Sequence, residues 1–281
     1  MKIPSKIRFL PPILIFGLTN MMVYLYVKFI LGTLYINEKY IALILSWGSF
    51  SFSLGMWYWG FFRVMFFNPG IPSKEMEQYH GKRLPRCIHC KQYKPYRTHH
   101  CSSCKCCYAK LDHHCNALGR CIALRNHKPF LVFLIHSVSM LAIWFLTVCY
   151  MLLAIKNDDS PRFLHFHFYA SISLTILIAF LLFEQIGNVL SGKTTLELIY
   201  NIPMEIKKTK FELFEEVMGP FNIGWLIPTE TPSSTSAFQW EDLRPLSEQI
   251  PQPKADENKV KMSASSNYEG NTKGEGKIER E

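Results

Sequence analysis

An aspartate, two adjacent histidines and a cysteine stand together in "KLDHHCNALGRC", residues 110–121, and Cys121 follows six residues after Cys115. Two chemistries are open to such a row. Imidazole and thiolate are zinc ligands, whereas a carboxylate, an imidazole and a thiol in sequence make an oriented base beside a nucleophile. Order along the chain does not separate the two.

The neighbourhood supplies more ligands than one ion needs. Eight of the nine cysteines fall between Cys87 and Cys121, and His89, His99, His100, His113 and His114 lie among them. Cys87 with Cys90, Cys101 with Cys104, and Cys104 with Cys107 each have C-x-x-C spacing, whose tight turn lets two sulfurs reach one ion. Cys87, Cys90, Cys101, Cys104, Cys107 and Cys121 with two histidines fill two tetrahedral sites, leaving Cys106 and Cys115 over. Of these two, only Cys115 follows Asp-His-His. A third-site or spare ligand is the alternative role for it. Cys149, far from the rest, reads as a small buried hydrophobe. Such cysteine density fits metal or thiol chemistry in a reducing compartment better than disulfides.

What positions this segment is read from the apolar residues, which concentrate in four blocks: Phe9–Leu31, Tyr40–Phe62, Phe130–Ile155 and Phe166–Leu190. Each has about 20 residues or more, enough for a helix to cross a hydrocarbon core of about 30 Å. The basic start (Lys2, Lys6, Arg8) precedes an apolar run too long for a signal peptide, with no small-residue cleavage site after it. Residues 63–129 carry 13 Lys and Arg against 3 acidic residues, while the connections at 32–39 and 156–165 are balanced. The positive-inside tendency therefore places the N-terminus, the central loop and the C-terminal tail in the cytosol. The net charge of +9 reads as this topology signal and as attraction to anionic lipid, not as a nucleic-acid footprint, since no recognition helix follows the ligands.

The organisation predicted is an all-α integral membrane protein of four transmembrane helices, with a cytosolic cysteine-rich two-zinc domain between the second and third. The first two helices occupy 1–62, the zinc-binding domain 63–129, the next two helices 130–190 and a juxtamembrane segment 191–228. The tail at 229–281 is polar and rich in Ser, Pro, Glu and Lys, a composition that predicts disorder.

The spacing C-x2-C-x9-H-C-x2-C-x2-C-x4-D-H-H-C-x5-C-x4-N-x3-F is met by Cys87, Cys90, His100, Cys101, Cys104, Cys107, Asp112, His113, His114, Cys115, Cys121, Asn126 and Phe130. It resembles the cysteine-rich domain of the DHHC protein S-acyltransferases, the palmitoyltransferases. "NPGIP" at 68–72 is similar to that family's Asp-Pro-Gly motif, with Asn68 for Asp, and "TTLE" at 194–197 is similar to its Thr-Thr-x-Glu motif. The resemblance implies one structural zinc on Cys87, Cys90, His100 and Cys107 and a second on Cys101, Cys104, His114 and Cys121. It implies Cys115 as nucleophile, His113 as base, Asp112 as the group that orients it, and contact of Thr195, between Thr194 and Glu197, with Asp112. A local reading of Thr194 and Glu197 is a helix-capping box.

The implied activity is transfer of a long-chain acyl group from acyl-CoA, such as palmitoyl-CoA, to cysteine thiols of membrane-associated proteins at the endoplasmic reticulum or Golgi. The chain differs from the usual family sequence at Asn116, Ala117, Gly119, Arg120, Ala123 and Leu213. Those differences motivate the alternative of a catalytically weak or inactive scaffold of the same fold. A RING-like ubiquitin ligase is a further rival, disfavoured because no second C-x-x-C pair follows toward the C-terminus.

Overall fold

The computed structural model describes residues 9–72, 85–95, 97–154, 162–204 and 206–231. Lys2, Lys6 and Arg8, and the tail beyond residue 231 with its expected disorder, lie outside the described residues.

Among the described residues, four helices are long and apolar enough to cross a membrane: α1 (Leu10–Ile36), α2 (Tyr40–Phe66), α3 (His127–Ala154) and α4 (Arg162–Leu190). Each described helix outruns its apolar block at one end because an unbroken hydrogen-bonded ladder carries on through polar or basic residues, as at Arg63 in α2 and His127–Lys128 in α3. Proline opens α1, where the missing N–H costs nothing. At Tyr26–Leu31 the helix loosens into a π-helical turn, which accommodates the Tyr26 ring stacked on Phe50 at 4.3 Å.

Helix α3 is the buried member of the four. Phe130, Phe133, Met140, Leu141, Trp144, Val148 and Met151 are enclosed, whereas α1, α2 and α4 turn Ile13, Leu14, Ile41, Ile44, Phe180 and Phe183 outward. That inversion, an apolar exterior around one enclosed helix, is stable in lipid and untenable in water. At the α2–α3 crossing, a Cβ on Gly60 would meet the Phe133 Cβ at 3.1 Å. Small residues at a crossing let backbones approach, and Trp57 Nε1 adds a hydrogen bond to Ser137 Oγ at 3.0 Å. Trp57 and Trp144 thus pack inside, while Trp47 and Trp59 are exposed.

Between α2 and α3 the described residues contain no helix. They form two antiparallel hairpins, β1 (Thr98–Cys101) with β2 (Cys106–Ala109), and β3 (His113–Cys115) with β4 (Arg120–Ile122). The all-α expectation is corrected to mostly helical. Short strands suit this segment because alternating side chains can serve two different faces, a property the sites below depend on. After α4 the described residues form two short α-helices, α5 (Thr195–Ile199) and α6 (Lys210–Met218), each opened by a capping box, Thr194 with Glu197 and Thr209 with Glu212, and then a 3-10 turn at Ile223–Leu226.

Two joints fix the hairpins to the helices. Asn68 Oδ1 accepts from the N–H groups of Gly70 and Ile71, so the turn after α2 is closed by an amide where the resemblance has a carboxylate. The carbonyls of Pro69 and Gly70 then accept from Arg125 and Ala109. At the other joint, Asn126 accepts from Ala123 N–H and donates to the Cys121 carbonyl, tying β4 to the first turn of α3.

Candidate metal centres and active site

Register in the first hairpin sorts its ligands. His100 is paired with Cys107, and Cys101 with Cys106. Paired residues share a face and adjacent residues take opposite ones, so His100 and Cys107 face one side while Cys101 faces the other. The structure accordingly gathers Cys87, Cys90, His100 and Cys107 into one group and Cys101, Cys104, His114 and Cys121 into a second, with ligating atoms in each within 4.8 Å of one another. It is the His100 ring, not that of neighbouring His99, that joins the first group.

Both groups fit a tetrahedral ion. Bonds of about 2.0–2.3 Å to zinc imply ligand-to-ligand edges of about 3.3–3.8 Å. In the second group, His114 Nδ1 lies 3.7, 3.4 and 3.6 Å from the sulfurs of Cys101, Cys104 and Cys121. In the first, His100 Nδ1 lies 3.2 Å from Cys90 Sγ and 3.8 Å from Cys107 Sγ. The acid–base balance of the second group points the same way. Hydrogen bonds from Cys104 and Cys121 hold the Cys101 thiol far below its ordinary range, and the same closeness pushes Cys121 and Cys104 up. Three thiolates share one point only when a cation compensates them. Cys106 and Cys115 lie outside both groups.

The second hairpin sorts Asp-His-His-Cys by the same alternation. His114 pairs with Cys121 and takes the side of the second ligand group, while His113 pairs with Ile122 and Cys115 with Arg120. His113 and Cys115 therefore share the opposite face. Asp112, immediately before the strand and with no solvent exposure, receives three hydrogen bonds: from His113 Nδ1 at 2.7 Å, from the Thr195 hydroxyl at 2.8 Å and from the Thr195 N–H at 2.8 Å. Burial alone would raise the Asp112 pKa, but these bonds outweigh it and hold the carboxyl well below the usual range. With Nδ1 committed to Asp112, His113 has Nε2 left for the thiol. Burial disfavours the His113 imidazolium; hydrogen bonds to Asp112 and Cys115 more than reverse this, and its pKa is pushed up to about 9. Phe130, in the first turn of α3, sets its ring edge-on against His113 with 5.6 Å between centroids.

The loop "NALG" closes the hairpin. Gly119 takes a left-handed conformation at φ 60, and Leu118 is buried in the same apolar cluster as Phe130 and Phe133, against which Cys115 also packs. The nucleophile candidate thus sits where hairpin meets helical core.

Three supports were not legible in the sequence. Arg97 forms a two-pronged ion pair with Glu197, at 2.8 and 2.6 Å, and donates to the Gly192 carbonyl. The capping glutamate of α5 is thereby tied to the residue preceding β1. Lys110 meets Glu216 of α6 at 2.6 Å, and Lys208 meets the same carboxylate at 2.9 Å; a basic run at 207–210 read by itself gives only a solvated or membrane-facing patch. Glu230 binds both Arg125 and Arg63. Apart from Lys208–Glu216, each pair joins residues about a hundred positions or more apart, a separation for which periodicity and spacing carry no signal. Leu213 is buried, and its Cδ2 would lie 3.0 Å from a Cβ on Gly192, so this position packs α6 beneath the turn after α4.

Comparison with curated proteins gave no match. Residues 80–202 match the family model described as DHHC palmitoyltransferase, a stretch that takes in both ligand groups, the Asp112–His113–Cys115 row and Thr195. Over those residues the chain carries a domain of the DHHC palmitoyltransferase family.

Proposed function

We propose that the protein is a protein S-palmitoyltransferase that carries a long-chain acyl group from acyl-CoA to cysteine thiols of membrane-associated proteins. The observation that carries this reading is the hydrogen-bonded row Thr195–Asp112–His113 leading to Cys115 on a strand whose other face holds the second ligand group. His113 takes the Cys115 proton as the sulfur attacks the thioester carbonyl; collapse expels the CoA thiolate, which regains a proton, and leaves an acyl-enzyme. An acceptor cysteine, deprotonated by the same imidazole, then takes the acyl group and frees Cys115. One thioester replaces another, so no nucleoside triphosphate is required. Asp112 fixes the tautomer and orientation of His113, as the acidic member of a triad does.

The two zinc ions, held by Cys87, Cys90, His100 and Cys107 and by Cys101, Cys104, His114 and Cys121, have a structural role: they fix the two hairpins. Packing of Cys115 against the apolar helices supports an acyl chain lying among the spans. The basic bias of residues 63–129 supports a cytosolic catalytic domain with both termini on that side, and the family resemblance implies membranes of the endoplasmic reticulum or Golgi as its site. The domain limits read from the sequence are retained as part of this proposal.

The test is a transfer experiment. Purified protein loaded with labelled acyl-CoA and freed of the donor is expected to pass hydroxylamine-sensitive label to a lipidated cysteine peptide, and Cys115→Ser to pass none. Transfer by the Ser variant at the wild-type rate would refute the reading and favour a scaffold.

A further inference from the structure

Arg120 stands directly across the hairpin from Cys115. The turn Asn116–Gly119 returns the chain so that this guanidinium emerges on the nucleophile's face. One corner is fixed, with Nη2 donating to the Phe67 carbonyl at the end of α2 at 3.0 Å. Its Nε–H is buried and has no hydrogen-bond partner among the described residues. A buried donor without an acceptor is costly, and is retained where something other than the folded chain supplies the acceptor.

We propose that Arg120 is a catalytic residue whose Nε–H receives the oxyanion formed at the thioester carbonyl. The assignment rests on the acyltransferase reading above. When the Cys115 sulfur bonds to the carbonyl carbon, the π pair moves to oxygen. On collapse that pair re-forms the double bond, the bond to the CoA sulfur breaks, and the departing thiolate takes the proton held by His113. The charge exists only between those events, so a donor aimed at it favours the transition state over the ground state. Cross-strand side chains at paired positions begin about 5 Å apart. Three bonds of arginine stem reach across that gap, and the anchor at Phe67 restrains the guanidinium before substrate arrives.

The test compares two reactions of one sulfur. Acylation of Cys115 by palmitoyl-CoA passes through an oxyanion; alkylation of Cys115 by iodoacetamide, followed on its own peptide, does not. In Arg120→Met, single-turnover acylation is expected to fall about a hundredfold, with alkylation within about twofold of wild type and zinc retained. Arg120→Gln, whose amide nitrogen lies the same number of bonds from Cβ as Nε, is expected to recover most of the loss. Should the Met variant lose zinc, Arg120→Lys serves. It keeps the charge but has a methylene where arginine has Nε, and acylation is expected to fall at least about tenfold with alkylation unchanged. Acylation and alkylation falling together, or neither falling, would overturn the assignment while leaving the acyltransferase reading intact. No acyl-enzyme in the wild type would overturn both.

Discussion

At the scale of single residues, the central point is the division of labour between neighbours. His113 and His114 are chemically identical and adjacent, yet strand alternation turns one to Asp112 and Cys115 and the other to the sulfurs of the second group. Thr195 contributes two of the three hydrogen bonds on the Asp112 carboxylate. Removing only its hydroxyl in Thr195→Val should cost one charge-assisted bond, about 2 kcal/mol, and slow acyl-enzyme formation about tenfold or more without loss of zinc. Asp112→Asn should be far worse, roughly 10³–10⁴-fold, because an amide can leave His113 in the wrong tautomer. Rapid-quench acylation kinetics measure both. Equal rates in Asp112→Asn and wild type would refute the orienting role.

The participants in this row were legible from type and spacing, since an Asp-His-His-Cys run beside paired cysteines has few other uses. Type and spacing alone left their assignment open, and the resemblance implied it. The register that pairs His114 with Cys121 gives the physical reason that His114, not His113, joins the second group.

At the scale of elements, β1 carries one ligand for each group on successive residues, His100 and Cys101. The two sites are therefore coupled through four residues of strand. His100→Ala is expected to lower zinc from about two per chain, as two four-ligand sites imply, toward zero rather than to one, because β1 freed from the first ion no longer presents Cys101. Metal analysis of purified variant decides this; retention of one full equivalent would show the sites to be independent.

Helix α6 is held differently, through Glu216. Burial opposes ionisation of that carboxyl, but the charge of Lys110 and hydrogen bonds from Lys110 and Lys208 bring its pKa down to about 2. A carboxyl depressed in the folded state stabilises fully above its unfolded value, near 4.5, and loses that contribution as pH falls toward about 2. Amide exchange in α6 should therefore quicken across that window. Glu216→Gln should give faster exchange already at neutral pH with zinc intact, separating this contact from acid release of metal. The four long helices followed from apolar run length with errors only at their ends. By contrast, the hairpins were not legible in the sequence because three- and four-residue strands leave no periodic trace.

At the scale of the whole molecule, four apolar helices make this a multi-pass membrane protein, and the family domain lies across the joint between the hairpins and the last two helices. The hairpin that carries Cys115 is fastened on several sides: to the end of α2 by Arg120 and Phe67, to α3 by Asn126, and to α5 by Asp112 with Thr195. Leu118 and Cys115 meanwhile pack against the apolar core. The neighbours in the chain were legible in the sequence, and the resemblance implied the Thr195–Asp112 contact, whereas the Arg97, Lys110 and Glu230 ties are long-range and electrostatic and leave no trace in it.

The most direct measurement of the account is the site of the acyl-enzyme. Purified protein incubated with a palmitoyl-CoA analogue, digested and mapped by mass spectrometry is expected to carry a hydroxylamine-labile acyl group on Cys115, absent in Cys115→Ser. Label on another cysteine, or equal label on wild type and Cys115→Ser, would contradict it.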